Sequence, residues 1–169
     1  MADVTNSTLL NINTGIHNKD ACIVMVKTEW NSEVIDELER GSIRVLEREG
    51  FKNHKTLVVP GAVEIAFAVR QYWETQKSTS NEAAAFIALG CVIRGDTPHF
   101  DYVCKAVTDG IVQLNLSLPV PTIFGVLTVN TQEQALERIG GMHGHKGEEA
   151  AITALKMIAL SQSLLSGTV

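Results

Sequence analysis

Ala85-Phe86-Ile87-Ala88-Leu89 is an unbroken apolar run, followed closely by Cys91-Val92-Ile93-Arg94-Gly95-Asp96-Thr97-Pro98-His99. A short apolar run bounded by turn-forming residues reads as a strand covered on both faces. Three more runs have the same character: Ile23-Val24-Met25-Val26, Leu57-Val58-Val59 and Ile123-Phe124-Gly125-Val126-Leu127. Amphipathic segments lie between them. Val34, Ile35, Leu38, Val45 and Leu46 share a stripe that ends at Gly50, a C-terminal cap, with Asn31 or Ser32 expected to cap the start. Val63, Phe67, Val69 and Trp73 mark a second helix, and Val103, Val107, Ile111 and Leu114 a third that stops before Pro119. Thr131 and Gln134 are spaced as a capping box opening a helix to Ile139, and 148–165 supplies the last helix. Strands alternating with helices imply a parallel sheet joined by right-handed crossovers. The expected fold is α/β, a three-layer sandwich around a central four-stranded parallel sheet in flavodoxin-like order.

At 169 residues and 45% apolar content, residues 1–169 read as one domain with a sizeable core, of which 1–17 is a flexible N-terminal arm. The net charge of -5, with no Lys or Arg stripe, argues against nucleic acid and anionic membranes as partners. No apolar stretch is long enough to span a bilayer, and Met1 to Asn13 lacks the pattern of a secretion signal. Cys22, Cys91 and Cys104 are odd in number and lie in apolar runs, as expected of buried thiols in a reducing cytoplasm.

Ligands of such sheets bind beyond the carboxyl ends of the strands. Glu29-Trp30-Asn31 follows the first strand, and Trp30 suits either a stacking platform for a flat heterocycle or a cover for the sheet edge. Pro60-Gly61-Ala62-Val63-Glu64 follows the second; it allows close backbone approach and places a carboxylate at a helix start, as an ordinary turn would. Gly95-Asp96-Thr97, after the third, directs free N–H groups and the positive helix end at one spot. That suits a phosphate, and equally a simple N-cap. His99, in the first turn of that helix, is placed to take and return a proton, and equally suits an ordinary structural part at a helix start. Beyond the fourth strand, Arg138 and Lys146 offer a bidentate fork and a point charge for an anion, or two solvated helix-end cations. His143 and His145 lack acidic or Cys partners at ligand spacing, so no metal is expected. There is no GxGxxG after the first strand, no GxxxxGK[ST], no GxSxG and no CxxC.

Taken together these segments resemble the lumazine synthase family. The resemblance runs collinearly from about Ala21 to Leu160 through Glu29-Trp30-Asn31, Pro60-Gly61-Ala62-Val63-Glu64-Ile65, Val92 to Val103 with its Arg94-Gly95-Asp96-Thr97-Pro98-His99 core, Phe124-Gly125-Val126-Leu127-Thr128, Glu133-Gln134-Ala135 with Arg138, and Lys146-Gly147-Glu148-Glu149-Ala150-Ala151. It implies condensation of 5-amino-6-(D-ribitylamino)uracil with 3,4-dihydroxy-2-butanone 4-phosphate to give 6,7-dimethyl-8-ribityllumazine, phosphate and water, with no cofactor. It implies that Trp30 stacks on the pyrimidine, that Ala62, Val63 and Glu64 hold the ribityl chain and ring, and that Cys91, Val92 and Ile93 line the ring pocket. Asp96, Thr97 and Arg138 would bind the butanone phosphate, His99 would move protons, and Asn31 would support the site. Phe124, Arg138 and Lys146 would come from a neighbouring subunit. Family members form pentamers, some stacked into hollow icosahedral shells, and riboflavin synthase is a candidate partner. A longer connection between the last two helices accompanies assemblies that stop at the pentamer; here the connection from Ile139 to Lys146 is short. Leu9 to Ile12 alternates as an added strand on a neighbour's sheet would. Ala66 stands where the family usually has proline, which bears on rigidity and not on chemistry. His143 and His145 are further departures.

Two other readings compete. A non-catalytic lumazine or flavin carrier would keep Trp30 but has no need of His99, Arg138 and Lys146. A flavodoxin-like electron carrier needs a phosphate loop after the first strand, where Glu29 would repel phosphate.

Overall fold

β1 (Cys22–Thr28) and β3 (Ala83–Ile93) form the centre of a four-stranded sheet in the computed structural model, which describes residues 8–10, 16 and 18–167. β2 (His54–Val59) and β4 (Thr122–Val129) are its edges, in the order β2-β1-β3-β4, and every pairing is parallel. Met25 pairs with Thr56 on one side and Ile87 on the other, and Ile87 pairs with Ile123. This is the flavodoxin-like order expected from the alternation of strands and helices.

The two-residue period of the strands sorts their side chains into two cores. Ile23, Met25, Ile87, Leu89 and Leu127 pack with α1 (Ser32–Arg48) and α5 (Lys146–Ser166). Val24, Val26, Phe86, Ala88 and Val126 pack with α2 (Ile65–Gln76) and α3 (His99–Ser117). Burying each such aliphatic side chain contributes about 1.5–3 kcal/mol, so the two central strands anchor everything placed at their ends. A short α4 (Gln132–Leu136) and a small hairpin, β5 (Ile139–Gly141) with β6 (Gly144–His145), connect β4 to α5.

Several sequence expectations are corrected. Burial on both faces holds for β1 and β3, whereas β2 is half-exposed along most of its length and β4 leaves Phe124 and Thr128 open, because each edge strand has a neighbour on one side only. β3 continues through Cys91-Val92-Ile93, so those residues end the strand instead of following it. The buried stripe of α2 is Ile65, Val69 and Trp73; Val63 and Phe67 face outward, since the helix begins only after a 3-10 turn at Ala62–Glu64. α4 stops at Leu136, short of Ile139, and α5 begins at Lys146, ahead of Glu148.

Asn31 does not cap α1 with its side chain. Its backbone is left-handed (φ 59°), and its carbonyl accepts from Val34 and Ile35 N–H. The proposed arm over 1–17 falls outside the described residues except for 8–10 and 16; there Leu9 packs on the α1–α5 core and Lys156 Nζ donates to the Thr8 carbonyl. Among the described residues no helix is long and apolar enough to cross a membrane.

Candidate active site

Trp30 stands at the carboxyl end of β1 with 73% of its surface exposed, a costly placement for an indole unless something stacks on it. The turn that presents it depends on Asn31, one of the few side chains that tolerate the left-handed region. Asn31 Nδ2 donates to the Cys91 carbonyl at 2.9 Å, tying the Trp30 corner to the end of β3. A Cβ built on Gly61 would lie 3.8 Å from Trp30 Cδ1 and 2.9 Å from Glu64 Oε2. A glycine there lets the indole and the carboxylate meet at one place. Glu29, Trp30, Asn31, Ser32, Glu33, Pro60 and Gln132 enclose an open cavity of about 590 Å³ beside it.

The Ala62–Glu64 turn packs against both β3 and α3, so Ala62, Val63 and Glu64 join the same corner as Cys91, Val92 and Ile93. Cys91 is buried, which pushes its thiol up to about 11. It therefore stays protonated near neutrality, unsuited to act as a nucleophile. β3 then leads into an exposed loop carrying Asp96 and Thr97, and His99 opens α3, also exposed. No side chain caps α3, so its first N–H groups remain available at the loop. Arg94, at the base of the loop, stacks on Phe100 at 4.1 Å and pairs with Asp101 at 2.9 Å.

Phe124, Arg138 and Lys146 are not part of this corner. They line a separate cavity of about 850 Å³ on the open edge of β4, shared with Glu149, Thr153 and Met157. Phe124 lies within β4, opposite Ala88, as its apolar run predicts. Arg138 Nη1 donates to the Gln134 carbonyl at 2.7 Å, fixing the fork against the end of α4. Lys146 is buried and bonded to both Glu149 oxygens at 2.7 and 2.8 Å, so its charge is matched within the chain. Sequence reasoning left Glu149 out of the site; its spacing three residues after Lys146 on one helix was the available signal.

His143 and His145 part company. His143 faces Glu137 at 3.5 Å, whereas His145 Nε2 lies 3.2 Å from Glu37 and its Nδ1 accepts the Glu148 N–H. Among the described residues no group of three His, Cys, Asp or Glu side chains is arranged to hold a metal.

The model of the 6,7-dimethyl-8-ribityllumazine synthase family matches residues 20–162. A protein of that name from Parabacteroides distasonis is 47% identical over 141 residues, covering 82% of this chain and 85% of the relative. The Bacteroides fragilis protein of the same name is 46% identical over 142 residues, covering 83% and 96%. The Porphyromonas gingivalis one is 48% identical over 146 residues, covering 85% and 88%. A match of this length, across both the Trp30 corner and the β4 edge, places the chain in the 6,7-dimethyl-8-ribityllumazine synthase family.

Proposed function

We propose that the Trp30 corner binds 5-amino-6-(D-ribitylamino)uracil, and that the loop after β3 binds 3,4-dihydroxy-2-butanone 4-phosphate together with Arg138 of an adjacent subunit. The reaction is the family's step of riboflavin biosynthesis, which joins these two substrates into 6,7-dimethyl-8-ribityllumazine and releases phosphate and water. Residues 1–169 act as one cytoplasmic domain, assembled at least into a pentamer. The observation that carries this reading is the convergence of Trp30, Glu64 and the end of β3 on one corner next to the head of α3, while Arg138 lines a cavity elsewhere on the same chain.

Trp30 stacks on the pyrimidine, and Glu64 with the backbone of Ala62 and Val63 holds the ribityl chain. Cys91, Val92 and Ile93 wall the ring, and Phe124 of the neighbour closes it. Asp96 and Thr97 present hydrogen bonds at the uncapped start of α3, where an anion is favoured. Lys146, held by Glu149, supports the neighbour's side. The steps are imine formation, proton shifts, phosphate elimination, ring closure and dehydration. Orienting two reactants is worth about 7–11 kcal/mol, so positioning supplies most of the rate. His99 accepts and returns protons, a contribution typically worth about 10²–10⁴-fold.

Mixing the pure protein with both substrates should give the lumazine product, read from its absorbance. His99→Ala should slow turnover by about 10–10³-fold with substrate binding retained. An unchanged rate, or a chain that no longer folds, would remove His99 from the chemistry.

A further inference from the structure

The loop between β3 and α3 is short, exposed and without a capping side chain, yet the proposed reaction asks it to hold a phosphate beside His99. Gly95 has open space where a Cβ would stand, and Asp96 and Thr97 face solvent. What shapes the loop lies at its two feet. On the strand side the Arg94 N–H donates to the Val129 carbonyl at 2.9 Å, and on the helix side the Asp101 N–H donates to the Pro98 carbonyl at 3.0 Å. The Arg94 guanidinium then reaches across. Its Nη1 and Nη2 donate to Asp101 at 3.4 and 2.9 Å, its Nε donates to Asn130 Oδ1 at 3.1 Å, and its Cζ lies 4.1 Å from the centre of the Phe100 ring. Asn130 is held in turn, because its N–H donates to Gln134 Oε1 at 2.8 Å, and Gln134 belongs to the capping pair that starts α4.

From this geometry we infer that Arg94 is a positioning residue: a clasp that locks the first turn of α3 to the ends of β3 and β4 and thereby fixes the phosphate loop and His99. The inference rests on the proposed roles of that loop and of His99. Arg94 stands beside a proposed anion site and invites a simpler role as a phosphate ligand. Its contacts argue otherwise, since three of its five donors are already engaged by Asp101 and Asn130 and its planar face lies on Phe100. A planar fork suits this combination and an ammonium does not. Because the ion pair is largely exposed, it contributes little to global stability, and its effect belongs in the kinetics.

Asp101→Asn separates the two roles. If Arg94 bound phosphate, weakening its hold on Asp101 would free the guanidinium and lower KM for the butanone phosphate. If Arg94 is a clasp, KM for that substrate rises and kcat falls, while KM for the aminouracil stays put. Arg94→Ala should show the same split, with kcat/KM for the butanone phosphate down by roughly 10–10²-fold, the scale of a small misplacement of reacting groups. Arg94→Lys should recover little, and the double variant should be no worse than Arg94→Ala alone. A lowered KM in Asp101→Asn, full rescue by lysine, unchanged kinetics in Arg94→Ala, or losses that merely follow the unfolding temperature would each overturn the clasp. His99→Ala, assayed beside them, tells this failure from failure of the parent reading. Normal turnover there with impaired Arg94→Ala removes the proton role and leaves the clasp; the reverse pair of results removes the clasp alone.

Discussion

Trp30 and Trp73 offer two indoles in opposite surroundings. Trp73 is buried between α2 and the sheet, while Trp30 stands in solvent on a left-handed Asn31 turn that is itself fastened to Cys91. An isolated surface indole needs no such fastening; a stacking platform does, because a ring that wanders loses the ordering advantage of a preformed site. A ribitylaminouracil or lumazine analogue should therefore quench only the more solvent-exposed, red-shifted part of the emission, that of Trp30. Trp30→Phe should retain much of the binding and Trp30→Ala should lose it. Titration of the analogue against the alanine variant checks this, and undiminished affinity would leave Trp30 as mere cover. The residue type and its place after an apolar run were legible in the sequence. The role of Asn31 was not, since one residue type suits both a helix cap and a left-handed turn, and only the tertiary contact with Cys91 decides between them.

Where elements meet, legibility followed how local the governing interaction is. The central strands announced themselves because burial on both faces makes residues 23–26 and 83–89 uninterrupted apolar runs. The start of α4 was also readable: Thr131 Oγ1 accepts the Gln134 N–H at 3.3 Å, although Gln134 reaches back to Asn130 instead of Thr131. Phe67 was misplaced because a helical stripe can be drawn through it, while the packed stripe Ile65, Val69, Trp73 lies on another side of the helix. Nor did the sequence reveal how closely α1 and α5 approach. Gly147 lies against the Leu38 backbone, and Ser42 Oγ donates to both the Leu38 and Gly147 carbonyls. His145 fills the slot over Gly41, contacts Glu37 and caps α5, the helix that carries Lys146. A Cβ on Gly41 would overlap the His145 ring, so Gly41→Ala should expel the ring and its cap together. Overpacking and cap loss should destabilise the protein by about 1–3 kcal/mol. Adding His145→Ser should recover much of that loss, because serine caps without a ring to displace. Urea unfolding of the single and double variants checks the pair; a silent Gly41→Ala, or no recovery with serine, would break the link.

On the scale of the molecule, the proposed site residues fall into two groups that lie apart on the chain. The Trp30 corner belongs to the carboxyl ends of β1 and β3, whereas Phe124, Arg138 and Lys146 line the open edge of β4. Phe67, Tyr102 and Leu116 are exposed as well. If each pocket forms between neighbours in a closed ring, every subunit gives its corner to one partner and its β4 edge to the other, a head-to-tail contact repeated by symmetry. Two inactive variants should then rescue each other. Trp30→Ala keeps an intact β4 edge, and Arg138→Ala keeps an intact corner. Arg138→Lys should itself remain impaired, since a point charge cannot replace the fork. Co-expressed in equal amounts and allowed to mix at random, the two alanine variants should place unmutated halves together in about a quarter of the pockets. Activity should rise toward that fraction of wild type, while each variant assembled alone stays near background. Mixing after assembly should give no gain unless subunits exchange, which makes the unmixed combination the control. Sedimentation of the same samples reports the size of the ring. No rescue in demonstrably mixed assemblies would mean that both halves act within one chain, and a stable, active monomer would mean the same.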